Sequence, residues 1–367
     1  MGKAISCHPV LSSKEEGIVA NMGTTSVIIP AYNAEGTLAA AVESVLKLSP
    51  SVIECIVVDD CSTDNTREIA RASGAKVICL AENSGPGIAR NIGAKEAKGE
   101  FLAFTDSDCI VPVNWLQEFH NHYDGGNYCG ITGPYCGPVN STLVTCTIDR
   151  WTHYNQQDIQ EVMQACSSAN LFVSRKDFLS IGGFPKYKLP GEKRYYFGNE
   201  DEEFAHLLSI QSGKNFLWLK TNGVYHDYRN SLCQYFKQHS LWAEAIMVSL
   251  ARFPGMRKGN ARNYSSVSSL LITAWTWLLV GSSLLFVYLH NPYFLFPHGL
   301  FLLFYRRRAF SIYYQSDTKK RFITKIFRMF YAYFFILFTA LAWTKGIITG
   351  SYKFIISVIY WKFISLE

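Results

Sequence analysis

Apolar positions in the first third of the chain fall into short runs, separated by stretches with helical spacing. Thr25 to Pro30 is a β-branched run closed by proline, the pattern of a buried parallel strand, and Thr37 to Lys47 follows with helical periodicity. Ile53 to Val58 predicts a second strand that stops at Asp59-Asp60. Thr63 to Ser73 then predicts a helix with Ser62 or Thr63 as its cap. Ala75 to Leu80 predicts a third strand and Gly87 to Ala97 a third helix. Phe101 to Thr105 predicts a fourth strand, ending at Asp106-Ser107-Asp108. Alternation at this pace predicts an α/β fold, a mostly parallel sheet flanked by helices, with a ligand crevice outside the carboxyl ends of its strands. Asp59, Asp60, Asp106 and Asp108 all follow strands directly, so this topology gathers them at one sheet edge. Carboxylates so gathered repel one another unless they share a cation or a hydrogen-bond donor.

The pattern loosens from about Tyr128 to Asn260. It holds a strand at Ala169 to Val173, a turn at Gly182-Gly183, the acidic run Asn199 to Glu203, a strand-like Phe216 to Lys220 leading to Val224-Tyr225-His226, and a helix at Lys237 to Leu250. From Val267 it changes again. Val267 to Leu289 is 23 residues without a charge, long enough to cross ~30 Å of hydrocarbon as a helix. Tyr293 to Tyr305 is shorter and broken by Pro297, Met329 to Trp343 is a further apolar run, and Tyr352 to Trp361 suits an interface. Two to three transmembrane or interfacial helices are expected.

Charge sharpens that picture. Beyond Val267 the acids are Asp317 and Glu367, whereas much of the net charge of +6 comes from residues such as Arg306, Arg307, Arg308, Lys319, Lys320, Arg321, Lys325 and Arg328. Basic residues beside apolar runs point to a cytoplasmic membrane face and anionic lipid, and not to nucleic acid. The ten cysteines are scattered with no C-x-x-C, as in a reducing compartment. Met1 to Gly23 is polar and lacks an apolar core of the ~7 to 15 residues that a secretion signal needs. The expectation is therefore a multi-pass membrane protein with its polar part in the cytoplasm.

Three segments carry a specific likeness. Val27-Ile28-Ile29-Pro30-Ala31-Tyr32-Asn33, then Val57-Val58-Asp59-Asp60-Cys61-Ser62-Thr63-Asp64, then Thr105-Asp106-Ser107-Asp108 resemble, in this order and spacing, the family 2 glycosyltransferases of GT-A fold. The resemblance runs from about Ser26 to His226, and the apolar C-terminal segments are similar to those of the family's membrane-bound branch. It implies a polar lead over 1–23 and a GT-A domain over 24–265, with a nucleotide-sugar-binding half (24–127) and an acceptor half (128–265). A membrane domain over 266–367 would follow. It also implies a nucleotide-sugar donor, a UDP-sugar first of all, and a Mg²⁺ or Mn²⁺ ion. Asp108 would hold the metal, with Asp106 on the nucleoside or on the metal through water. Asp60 would accept a hydrogen bond from the base, with Pro30 and Tyr32 lining the base pocket beside Asn33. Asp201 would be the general base with Glu200 as its neighbour, and His226 would join the metal.

The chemistry of these residues is consistent with those roles but leaves alternatives. A departing diphosphate gains negative charge, which a divalent ion offsets, and hard ions prefer carboxylate oxygen. Residues i and i+2 of an extended chain share a face, so Asp106 and Asp108 can act together, although D-x-D also forms plain Asx turns. Arg90, near the start of the third helix, either reaches the diphosphate or pairs with Glu96 or Asp106. The acids from Glu200 to Glu203 also suit a helix N-terminus, and His226 also reads as a satisfied loop histidine. Gly85-Pro86-Gly87 is not a phosphate loop, since proline removes a donor and no G-K-[ST] follows. Gln238-His239-Ser240-Leu241-Trp242 partly matches the Q-x-x-R-W signature of processive synthases, but leucine stands where arginine belongs. Gln238 and Trp242 remain acceptor candidates. The expected activity is inverting transfer of a single sugar to a lipid-linked or membrane-proximal acceptor. The rivals are a processive synthase, a nucleotidyltransferase and a non-catalytic membrane scaffold.

Overall fold

The computed structural model describes residues 23–156, 159–188, 195–196, 198–253 and 256, with single positions at 278, 293, 297, 345, 347–349 and 353. The spans expected between Val267 and Trp361 lie almost wholly outside these residues. Among the described residues no helix is long and apolar enough to cross a membrane.

The chain divides into two compact units. One comprises Met1–Ser141, Ile159–Tyr228 and Phe253–Ala261, and the other Thr142–Asp158, Arg229–Arg252 and Arg262–Glu367. The first unit opens with β1 (Thr25–Ala31), α1 (Leu38–Leu46), β2 (Glu54–Asp59), α2 (Thr66–Ala72), β3 (Lys76–Cys79), α3 (Pro86–Glu96) and β4 (Phe101–Thr105). It continues through β5 (Cys109–Ile110), α4 (Trp115–His122), β6 (Tyr128–Thr132) and β7 (Tyr135–Pro138). The second unit contributes α5 (Leu143–Gln156). The first resumes with β8 (Val162–Met163), β9 (Asn170–Ser174), α6 (Arg175–Ser180), α7 (Glu200–Ser212), β10 (Asn215–Trp218) and β11 (Val224–His226). The second holds α8 (Leu232–Arg252).

The main sheet runs β3-β2-β1-β4-β9-β6-β10-β8. β3, β2, β1 and β4 are mutually parallel, and β9 enters antiparallel between β4 and β6. Every residue of β1 is buried, which is why it reads as a continuous apolar run: a central parallel strand is covered on both faces. Alternate residues serve opposite layers. Val27 and Ile29 pack with Leu38, Val42 and Val45 of α1 and with Trp115 and Phe119 of α4. Ile28 packs with Val58, with Ala89 and Ala94 of α3, and with Phe104, Phe184 and Phe204. A smaller sheet, β5-β11-β7, carries the segment that follows β4.

Most of the expected elements recur within a few residues, but the cap of the second helix does not. α2 begins at Thr66, and Ser62 and Thr63 lie in the loop before it. There Ser62 Oγ accepts from Asn33 N at 3.0 Å, and Asn33 Oδ1 accepts from Thr63 N at 2.9 Å. The two residues clip the β1–α1 loop to the β2–α2 loop, a use that helix-start signals do not reveal.

Candidate active site

Each of the four strand-end acids is held by a different partner. Asp59 is fully buried and bonded by Arg67, whose Nη2 lies 2.9 Å from Oδ2. Asp60 directly follows β2 and is also buried: its two oxygens accept from Ser84 N and Gly85 N, both at 2.8 Å. Burial pushes the Asp60 carboxyl above its ordinary range, against the pull of those two amides. Asp60 thus anchors the turn that launches α3, where Gly85 takes φ 94° and Pro86 fills the first helical position.

α3 carries Arg90 into the interior. Its side chain is 3% exposed and pairs with Asp106 at 2.5 Å and Glu200 at 3.5 Å. Burial alone would make the guanidinium easier to deprotonate, but Asp106, Glu200 and Asp201 outweigh it and raise its pKa. Of the partners weighed from sequence, Arg90 therefore takes Asp106, together with Glu200, a partner that sequence did not suggest. Little of it is left exposed for a diphosphate. Gly87, one turn earlier, makes room for this contact, since a Cβ there would sit 3.0 Å from Glu200 Cγ.

The turn after β4 separates the D-x-D pair. Asp106 O accepts from Cys109 N at 3.1 Å, closing the turn, and the side chain of Asp106 goes to Arg90. Asp108 Oδ1 lies 3.5 Å from His226 Nε2. The small sheet makes that meeting: β11 pairs antiparallel with β5 so that His226 faces Cys109, and Asp227 N donates to Asp108 O at 2.8 Å. Tyr135 and Tyr228 flank the imidazole, with ring centroids at 4.9 Å and 4.7 Å. Donor atoms of Asp108, Cys109 and His226 lie within 4.8 Å of one another. Cys109 was not foreseen, although it directly follows the D-x-D. Burial, then Asp108 and Asp106, hold its thiol well above the usual range. The carboxylate and imidazole fit a divalent cation with open positions.

Glu200 and Asp201 form the first turn of α7, where acids complement the helix dipole. Glu200 Oε2 accepts from Gly198 N at 2.7 Å, and Asp201 Oδ1 from Glu202 N at 3.0 Å. Burial first, then Asp201, push the Glu200 carboxyl up, against the pull of Arg90. At the head of the sheet Pro30 is buried within β1, Tyr32 is half exposed just beyond it, and Asn33 takes φ 49°. The acceptor candidates Gln238 and Trp242 belong to α8, in the second unit.

Residues 26–181 match the family model described as Glycosyl transferase family 2. Over that segment, which is less than half of the chain, the sequence is similar to family 2 glycosyltransferases, and the α/β fold is GT-A-like. Among curated relatives, it is 42% identical over 142 residues to the UDP-Glc:alpha-D-GlcNAc-diphosphoundecaprenol beta-1,3-glucosyltransferase WfgD of Escherichia coli, covering 34% of this chain and 56% of that one. It is 43% identical over 207 residues to the poly(ribitol-phosphate) beta-N-acetylglucosaminyltransferase TarS of Staphylococcus aureus, covering 48% and 36%. The chain thus spans just over half the length of one and about a third of the other. Among solved structures, a mannosyltransferase of Pyrobaculum calidifontis in complex with GDP-Man and Mn²⁺ aligns over 93% of this chain and 87% of that one, with a TM-score of 0.51 and 14% identity. That likeness bears on the fold.

Proposed function

We propose that the chain is an inverting glycosyltransferase that moves one sugar from a nucleotide-sugar, a UDP-sugar first of all, to a lipid-linked or membrane-proximal acceptor of the cell envelope. The observation that carries this reading is the joining of separate strand-end acids at one edge: Asp108 beside His226, and Asp106 tied through Arg90 to Glu200, next to Asp201. Asp108 and His226 would hold Mn²⁺ or Mg²⁺, which offsets the charge of the departing diphosphate. The acceptor hydroxyl attacks the anomeric carbon from the face opposite the diphosphate. Asp201 takes its proton, and the electron pair of the breaking carbon–oxygen bond leaves with the diphosphate. Asp60, Pro30, Tyr32 and Asn33 surround the base. Relatives named for a diphosphoundecaprenol acceptor and the apolar segments after Val267 together support an acceptor at a membrane, with the domain on its cytoplasmic side.

The test is hydrolysis and transfer screened over nucleotide-sugars with Mn²⁺ or Mg²⁺, comparing the native chain with Asp108→Ala and Asp201→Asn. Asp108→Ala is expected to lose metal-dependent donor binding. Asp201→Asn should keep donor binding and slow transfer by roughly 10² to 10⁴, the usual worth of a positioned base. Equal activity of the three proteins would refute the assignment. Binding of nucleotide-sugar without turnover by the native chain would favour a scaffold, and products longer by many sugars would favour a processive synthase.

A further inference from the structure

We infer that Glu200 is a positioning residue and that the bridge Asp106–Arg90–Glu200 sets Asp201 against the donor site. The inference rests on the glycosyltransferase reading above and deepens it. Arg90 lies 16 residues from Asp106 and 110 from Glu200 in the chain, so its guanidinium ties the end of β4 to the first turn of α7. With 3% of its side chain exposed, Arg90 is part of the interior. Its Nε has no hydrogen-bond partner among the described residues, and its guanidinium carbon lies 5.5 Å from the centroid of the Phe184 ring. The placement of this cation therefore depends on the two carboxylates. The planar guanidinium presents its donors to two acids on different elements in a fixed fork, which the rotatable donors of an ammonium on a flexible stem do not reproduce.

Glu200 has both oxygens engaged, one by Gly198 N and one by Arg90. A carboxylate so buried and so occupied is poorly placed to take a proton from an acceptor. Its neighbour Asp201 is held by Glu202 N through Oδ1, and among the described residues its other oxygen accepts no hydrogen bond, which leaves it for that task. Because the two residues share one helical turn, a shift of Glu200 shifts Asp201. Gly87 of α3 and Phe184 of the loop after α6 pack against Glu200 and Arg90, so the bridge sits in a fitted niche.

The experiment uses the full chain, with Mn²⁺–UDP binding by calorimetry and steady-state UDP release from the UDP-sugar that the screen identifies. Glu200→Gln keeps the shape and removes the charge. UDP affinity and donor KM should stay within about threefold, while kcat falls about tenfold to a hundredfold, as expected of a misplaced base. Arg90→Lys should weaken UDP binding as well, because Asp106 is released. The double variant should be no slower than Arg90→Lys alone, since both changes act through one bridge. The inference is overturned if Glu200→Gln turns over at the native rate, if its UDP affinity and kcat fall by the same factor, or if the two losses add. Slow Asp201→Asn with native-like Glu200→Gln would sink this inference alone. Full activity in Asp201→Asn, or no turnover of any UDP-sugar by the native chain, would sink the underlying reading with it.

Discussion

Cys61 takes φ 62°, a left-handed conformation that a side chain with a Cβ adopts at a cost of about 1–2 kcal/mol. Its thiol meets Ala81 O at 3.6 Å, a weak bond. Cys61→Gly removes the backbone strain but gives the unfolded chain more freedom, worth about 0.4–1 kcal/mol. The strain is the larger of the two, so the variant should melt about 1–3 °C higher, whereas Cys61→Val, β-branched in the same conformation, should melt lower. Thermal melts of the three proteins check the order. Asn33, at φ 49°, is the contrasting case: its side chain accepts from Thr63, and asparagine tolerates this region. At this scale the site was partly legible. Asp60, Asp106 and Asp108 could be singled out because each follows a strand, where position in sequence nearly determines position in space, whereas Asp201 stood out only through the family resemblance of Asn199-Glu200-Asp201. Arg90 could not be assigned, since a helical residue near three acids finds its partner only through tertiary packing, and the choice of Asp106 with Glu200 depends on where α7 docks.

α3 shows how an element holds the site in place. Gly93 faces the sheet, and a Cβ there would lie 2.6 Å from Ile28 Cγ2 and 3.1 Å from Val58 Cγ2. Helix propensity favours alanine over glycine by about 1 kcal/mol, but overpacking a filled core costs typically 1–3 kcal/mol. Both crowding atoms belong to central strands that cannot withdraw, so the packing cost should win. Gly93→Ala is expected to lower stability by roughly 1 kcal/mol, read as a lower denaturant midpoint. Asn91, on the same helix, clips the Gly183–Phe184 turn through two bonds, at 2.7 and 2.8 Å. Elements with strong periodicity, β1 to β4 and α1 to α3, were legible to within a few residues. The small sheet was not. β5 has two residues and β11 three, too few to carry a period, and yet their pairing brings His226 to Asp108.

At the scale of the whole chain, legibility falls as the distance in sequence between contacting residues grows. The parallel half, built from neighbours in sequence, could be read from its alternation, whereas α5 and α8 join one unit across the Ile159–Tyr228 segment, which no local pattern signals. That unit carries a pH dependence of its own. His239 of α8 is buried against Tyr235 and Trp242, with ring centroids at 4.0 and 4.8 Å, and burial pushes its pKa down to about 3. In the unfolded chain a histidine titrates near 6.5. Stability from the neutral ring is therefore fully present above about 6.5 and is lost as pH falls toward 3, because the unfolded state binds a proton that the folded state refuses. One such proton is worth about 1.4 kcal/mol per pH unit across that window. His120 and His206, also lowered by burial, act in the same sense. Asp60 and Glu200, raised by burial, act in the opposite sense just above the ordinary carboxylate range. The comparison that isolates His239 is His239→Phe, which keeps an aromatic ring in the same niche. Between pH 7 and pH 5 the apparent Tm of the native chain should fall more steeply than that of the variant, and parallel slopes would show that the imidazole takes up its proton without leaving the fold.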